Sequence, residues 1–274
     1  MKDSPLGCDC ADNTTQTVAH HMKTIRTLLL AAMGLSGVAG HAASPTSTPA
    51  PSGPSGLCQA TRTTSAPTVV ELYTSEGCSS CPPADRWLST LKGKPDVLAL
   101  AFHVNYWDRL GWPDRFASAE LTARQHELAR LAGSRQVYTP QVVANGQDWR
   151  DWPKLPAHSV NSATPVSLTL SREGDTVTAQ VAATRAPSTQ LSGYWAVVED
   201  QHVSRVRAGE NAGETLRHDH VVRLYKPVPA WAAARGASMQ LSVSRGVPEH
   251  PRRVIFVVTD AATQRPLQAV ALGC

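Results

Sequence analysis

The stretch Glu71–Asp85, ELYTSEGCSSCPPAD, sets two cysteines, Cys78 and Cys81, behind an apolar, β-branched run and just before a proline-led helix start. The thiolate is the reactive form of cysteine. A helix N-terminus, with its free N–H groups and partial positive charge, favours that form. A two-residue spacer lets the second sulfur resolve a mixed disulfide made at the first. Cys78 is therefore the expected attacking thiol and Cys81 the resolving one. Two other chemistries fit the same residues. Two thiolates with His103 would suit a soft ion such as Cu(I) or Zn, although no second cysteine pair exists to close a structural metal site. Exported proteins also keep inert disulfide clasps.

Other residues invite weaker readings. Tyr106, Trp107, Asp108 and Trp112 crowd one segment, and large aromatics with a polar handle are common both in binding surfaces and in cores; we read Tyr106, Trp107 and Trp112 as a substrate-binding wall beside the sulfurs. His218 and His220, two apart with Asp219 between them, read as a solvated strand face. Gly209-Glu210-Asn211 and Gly213 read as turn punctuation. Cys58 and Cys274 are expected to form a structural disulfide, the alternative being that Cys274 is free or pairs with another molecule. No phosphate-loop or serine-hydrolase motif is present, and no cofactor is implied.

The elements that must position these residues fall into two patterns. Thr68–Thr74 (TVVELYT) is strand-like, and Pro83–Gly93 reads as a helix with proline in its first turn. Asp96–Val104 is a continuous apolar run of the kind found in buried parallel strands. Asp114–Gly133 has helical spacing, with Phe116, Leu121, Leu128 and Leu131 on one face, and Tyr138–Gly146 is a short strand ending in an Asn-Gly turn. Beyond residue 161 the pattern changes to alternating short strands, beginning with a hairpin over Val166–Ala183. The expected fold class is an α/β domain over 67–160 followed by a β-rich, sandwich-like module over 161–274.

The chain has 274 residues, 42% hydrophobic and 18% charged, enough for one large domain or two ordinary ones. Its net charge is +4 with no Lys/Arg run, which gives no reason to expect nucleic acid or a polybasic membrane contact. From Met22 a basic start (Lys23, Arg26), an apolar stretch and small residues around Gly40-His41-Ala42 read as a secretory signal. A short membrane anchor is the alternative. Residues 1–21 then read as an early start, 1–42 as removed, and 43–66 as a Pro/Ser/Gly-rich tether. Four cysteines remain after that cut, an even count compatible with disulfides in an exported protein. No membrane span is expected after cleavage, and the location is read as periplasmic or secreted.

Several motifs in one order carry a resemblance: ELYTSEGCSSCPPAD, HVNYWDRLGW (His103–Trp112), Arg124-Gln125, VYTPQVVANG and GENAGETLRHDHVVR (Gly209–Arg223). Over roughly Val69–Leu272 the chain resembles a bacterial exported domain-of-unknown-function family, number 1223, grouped with the thioredoxin-like superfamily. The resemblance implies a thioredoxin-like α/β fold with a β-rich C-terminal part, and it brings no established substrate. It also implies a cis peptide at Thr139-Pro140, facing the sulfur pair and leaving the Thr139 backbone free for an extended substrate. The chain departs from ordinary thioredoxins: the dipeptide between the cysteines is Ser79-Ser80, and Leu72 stands where an acid is usual, with Glu71 and Glu76 the nearest acids. The functional expectation is an exported thiol–disulfide oxidoreductase whose partners are protein thiols or disulfides. The alternatives are a non-catalytic Cu or Zn protein using Cys78, Cys81 and His103, and a structural module with an inert disulfide.

Overall fold

The computed structural model describes residues 58–152, 154–155, 164–183 and 190–274. The signal-like segment lies outside these residues, as does the tether up to residue 57. In chain order the elements are β1 (Cys58–Arg62), β2 (Thr68–Thr74), α1 (Pro82–Ser89), β3 (Val97–His103), α2 (Ala119–Leu131), β4 (Gln141–Ala144), β5 (Gln147–Asp148), β6 (Val166–Glu173) and β7 (Thr176–Ala183). They continue with β8 (Gln190–Glu199), β9 (His202–Arg205), β10 (Thr215–His218), β11 (Val221–Ala232), β12 (Ala237–Ser242), β13 (Arg252–Asp260) and β14 (Pro266–Leu272). The strand β1 thus falls within the stretch read as tether.

One eight-stranded sheet, in the order β14-β13-β8-β11-β3-β2-β4-β5, organises the molecule. A four-stranded sheet, β1-β6-β7-β12, packs on part of it, and β9 pairs with β10 separately. The central strands are buried at nearly every position because both faces are covered: all seven residues of β2 and nine of the ten in β8 are buried. On one face Val70, Leu72, Ala99 and Ala101 meet Ala84, Trp87 and Leu88 of α1. On the other, Val69, Tyr73, Leu100 and Phe102 meet Leu121 and Leu128 of α2, and this layer runs on into Tyr194, Ala196 and Val198 of β8. The alternate residues of β8 and β13 (Trp195, Val197, Phe256, Val258) pack against Leu168, Leu170 and Val177 of the smaller sheet. Gly193 lets β8 and β13 approach closely, since a Cβ there would lie 2.6 Å from the Val257 carbonyl oxygen.

These observations overturn the expected fold class. The chain is mostly β, with two α-helices among the described residues, and it is not an α/β thioredoxin-like domain followed by a β-rich module. The large sheet takes strands from both sides of residue 161. The junction is the parallel contact of β11 with β3, where Val221 stands opposite Ala101 and the Ala101 N–H donates to the His220 carbonyl at 2.8 Å. The apolar run of β3 states that it is buried, but it does not state which strand flanks it, and β11 takes that edge. The helix α2 is also shorter than its periodicity suggests. Asp114 accepts the Phe116 N–H at 2.9 Å and holds Phe116 in the preceding loop, while the Ser118 side chain caps the helix by accepting from Leu121 N.

A disulfide joins Cys58 to Cys274 across a sequence separation of 216. It ties an edge strand of the smaller sheet to the end of an edge strand of the larger one. The double substitution Cys58→Ser/Cys274→Ser is expected to lower unfolding free energy by about 2–5 kcal/mol. Urea titrations of the two proteins measure it, and coincident curves would show that the clasp contributes nothing.

Candidate functional site

Cys78 and Cys81 are joined in a disulfide at the turn between β2 and α1. Local backbone bonds build this turn: Cys78 N–H donates to Ser75 O, Cys81 N–H to Cys78 O, and Ala84 N–H and Asp85 N–H both to Cys81 O. Cys81 thereby sits at the N-cap position, with Pro82 in the first turn where no N–H is missed. Both cysteines are buried, whereas Ser79 and Ser80 between them are exposed.

Two segments hold the turn from outside. The loop before β4, which carries the cis Thr139-Pro140 peptide, places Thr139 Oγ1 so that it donates to Cys78 Sγ at 3.3 Å. Trp107 Nε1 donates to the same hydroxyl oxygen at 2.8 Å, and the Trp107 side chain lies against Gly77, whose Cβ position would be 3.0 Å from Trp107 Cβ. From the far half of the chain, Asn211 Nδ2 donates to the carbonyls of Glu76 (2.8 Å) and Cys78 (3.0 Å). Its neighbour Glu210 accepts from the Ser79 N–H (3.1 Å) and Ser79 hydroxyl (2.8 Å), and these two bonds hold its carboxyl below the usual range.

Next to the turn lies a cluster of buried ionisable groups. His103 Nδ1 is 2.6 Å from Asp114 Oδ2, and neither side chain is exposed. Asp114 Oδ2 also accepts the Glu76 N–H at 2.9 Å. The Glu76 carboxylate accepts from Trp112 Nε1 at 2.7 Å, and its other oxygen lies 3.3 Å from His218 Nε2, close enough for charge pairing but not aligned as a hydrogen bond. Asp85 accepts from Thr74 Oγ1 at 3.1 Å. Burial raises the Asp85 carboxyl despite the fields of His218 and His103. Burial works against ionisation of Asp114 too, but the His103 charge and hydrogen bond, with backbone N–H donors, hold it low. For His103, burial lowers the pKa while the Asp114 charge and bond outweigh it and leave it raised.

The sequence-derived candidates therefore separate. Cys78, Cys81, Thr139 and Trp107 come together around the sulfurs. Tyr106 packs beside Trp107, with ring centroids 6.4 Å apart, and its hydroxyl donates to Gln125. Trp112 turns instead to Glu76, and His103 is committed to Asp114. Among the described residues no group of three His, Cys, Asp or Glu side chains is arranged to hold a metal ion. His218 and His220 do not form a solvated face: both are buried and they diverge, His218 toward Glu76 and His220 toward Asp200 and Arg253. The glycine-flanked segment read as punctuation supplies Asn211, a contact that only the folded chain reveals.

A family model described as "Protein of unknown function (DUF1223)" matches residues 69–259. The chain belongs to this family. The matched span contains the two-cysteine turn, the Thr139-Pro140 loop and the Asn211 clamp, while Cys58 and Cys274 lie outside it. No curated protein matches the chain. Among solved structures, the chain is similar to the crystal structure of a protein from Agrobacterium tumefaciens, with 26% identity and a TM-score of 0.57, over 76% of this chain and 94% of that one. It is also similar in fold to HBP35 of Porphyromonas gingivalis, with 13% identity and a TM-score of 0.51, over 77% of this chain and 76% of that one.

Replacing Asp114 by Asn tests the buried pair. Asp114, whose pKa is depressed on folding, stabilises the protein above its unfolded value near about 4, and this is lost as pH falls through the folded value. His103, whose pKa is raised, stabilises below its unfolded value near about 6.5, and this is lost as pH rises through the folded value. Asp114→Asn is expected to lose on the order of 3–5 kcal/mol between those limits, and less on either side. A deficit that stays constant across denaturation curves from acid to alkaline pH would show that the pair is not ionic.

Proposed function

We propose that this chain is an exported thiol–disulfide redox protein that works through Cys78 and Cys81. The observation that carries the reading is the hydroxyl of Thr139 directed at Cys78 Sγ, at a sulfur pair in the turn that leads into α1, with Cys81 at its N-cap. A hydroxyl donor and a helix N-terminus both stabilise a thiolate at that position. Two disulfides in one chain, with a signal-like segment from Met22, favour an oxidising compartment.

In the oxidised state a partner thiolate attacks Cys78 Sγ. The Cys78–Cys81 bond breaks and Cys81 leaves as a thiolate, which then takes a proton. A second partner thiolate attacks the mixed disulfide and releases Cys78 as a thiolate. Two electrons have passed from the partner dithiol to the protein pair, and run backwards the same steps reduce a partner disulfide. Because both sulfurs are shielded, the turn must open before attack. The bonds from Asn211 and Glu210 oppose that opening.

A dithiothreitol titration followed by tryptophan fluorescence is expected to show a reversible two-electron couple, lost in Cys78→Ser. A pair that stays oxidised in the folded protein at potentials below about −300 mV would mark it as structural. Removing the clamp with Asn211→Ala is expected to speed reduction by about tenfold, from the loss of two hydrogen bonds. An unchanged rate would show that the clamp does not govern access.

A further inference from the structure

We infer that the cavity between the end of β8 and the loop after β12 is a binding site for the phosphate group of a small molecule. The cavity has a volume of about 500 Å³, and four arginines are among the residues that line it: Arg172, Arg245, Arg252 and Arg253. This size suits a small ligand. Asp200 is the acidic side chain in its wall.

The four cations are not equally neutralised. Arg252 is committed to Glu199 and to the Ser244 carbonyl, and Arg253 Nη2 to Asp200. Arg172 is different. Its side chain is only 3% exposed, and its Nε and Nη2 donate to the carbonyls of Gly174 (2.9 Å) and Val243 (2.6 Å). Its ion-pair partner, Asp175, is 3.9 Å away and 67% exposed. Burial, followed by the neighbouring Arg245 charge, lowers its pKa. Among the described residues no carboxylate forms an ion pair with Arg245. Arg172, with its carboxylate partner distant, lies within the field of Arg245, and an anion between the two would offset their like-charge repulsion. The two carbonyls fix the orientation of the Arg172 guanidinium, and its remaining N–H edge, together with the exposed Arg245 guanidinium, offers planar donors suited to the oxygens of a phosphate group. Val247 and Pro248 add an apolar wall for the body of the ligand.

Calorimetric titration of the full chain with inorganic phosphate and with phenyl phosphate, at matched ionic strength in chloride, tests the site. Saturable binding of either probe is expected. Equal affinity for the two identifies free phosphate as the ligand, and tighter binding of phenyl phosphate identifies a phosphomonoester. Arg245→Ala, at an exposed position, is expected to weaken binding by about tenfold or more. Arg172→Lys, which keeps the charge and loses the fork, is expected to weaken it as well. No saturable binding of either probe up to about 10 mM, or unchanged affinity in Arg245→Ala, would overturn the assignment.

Discussion

A carboxylate taken out of water costs several kcal/mol unless a cation and hydrogen bonds replace what it loses. Glu71, in the middle of β2, meets that requirement completely. Arg124 of α2 binds it in a fork, at 2.6 Å from Nη2 and 3.2 Å from Nε, and the hydroxyls of Tyr73 and Tyr194 donate to its two oxygens. Arg124 in turn donates to the Tyr225 hydroxyl and stacks 4.3 Å from the Tyr194 ring. Burial alone would raise the Glu71 carboxyl, but the Arg124 charge together with the hydrogen bonds from Arg124, Tyr73 and Tyr194 outweighs it and keeps it low. Five residues from β2, α2, β8 and β11 thus depend on one another. Removing any one leaves a buried polar group unmet, so the two halves of the chain are locked in register around a single ion pair.

That lock explains how a turn early in the sequence is held by residues more than a hundred positions later. The position of β2 fixes the start of the two-cysteine turn. The seating of β11 beside β3 brings the preceding segment, with Asn211 and Glu210, over the same turn. Neither contact is local, and neither would exist if the C-terminal strands formed a separate module. The surroundings of the sulfurs are therefore a property of the whole sheet.

Much of this was legible locally, and the rest was not for identifiable reasons. The burial of β2 and β3, the start of α1 at its prolines and the hairpin of β6 and β7 follow from apolar runs, proline placement and alternation. The fold class did not follow. A buried parallel strand reads the same whether its neighbour arrives through a helix or, as β11 does, from far downstream. His218 illustrates the limit at the site: a histidine in a short polar strand looks solvated until Glu76, Phe116 and His103 close over it. Asn211 gives still less away, because a polar residue between glycines is the normal composition of a turn.

Glu76 is where the sulfur turn and the buried charges meet. Its carbonyl accepts from Asn211, its N–H donates to Asp114, and its carboxylate accepts from Trp112 and faces His218. Burial would raise this carboxyl, but His218, with Ser204 and Trp112, holds it low against the opposing field of Asp114. Any opening of the turn that separates Cys78 from Thr139 must either carry the Glu76 backbone with it or break the clamp. In the first case the Asp114–His103 pair loses a donor. In the second, two carbonyls lose theirs. Access to the sulfurs and the ionisation of the buried cluster are coupled by this geometry, through one residue that belongs to both.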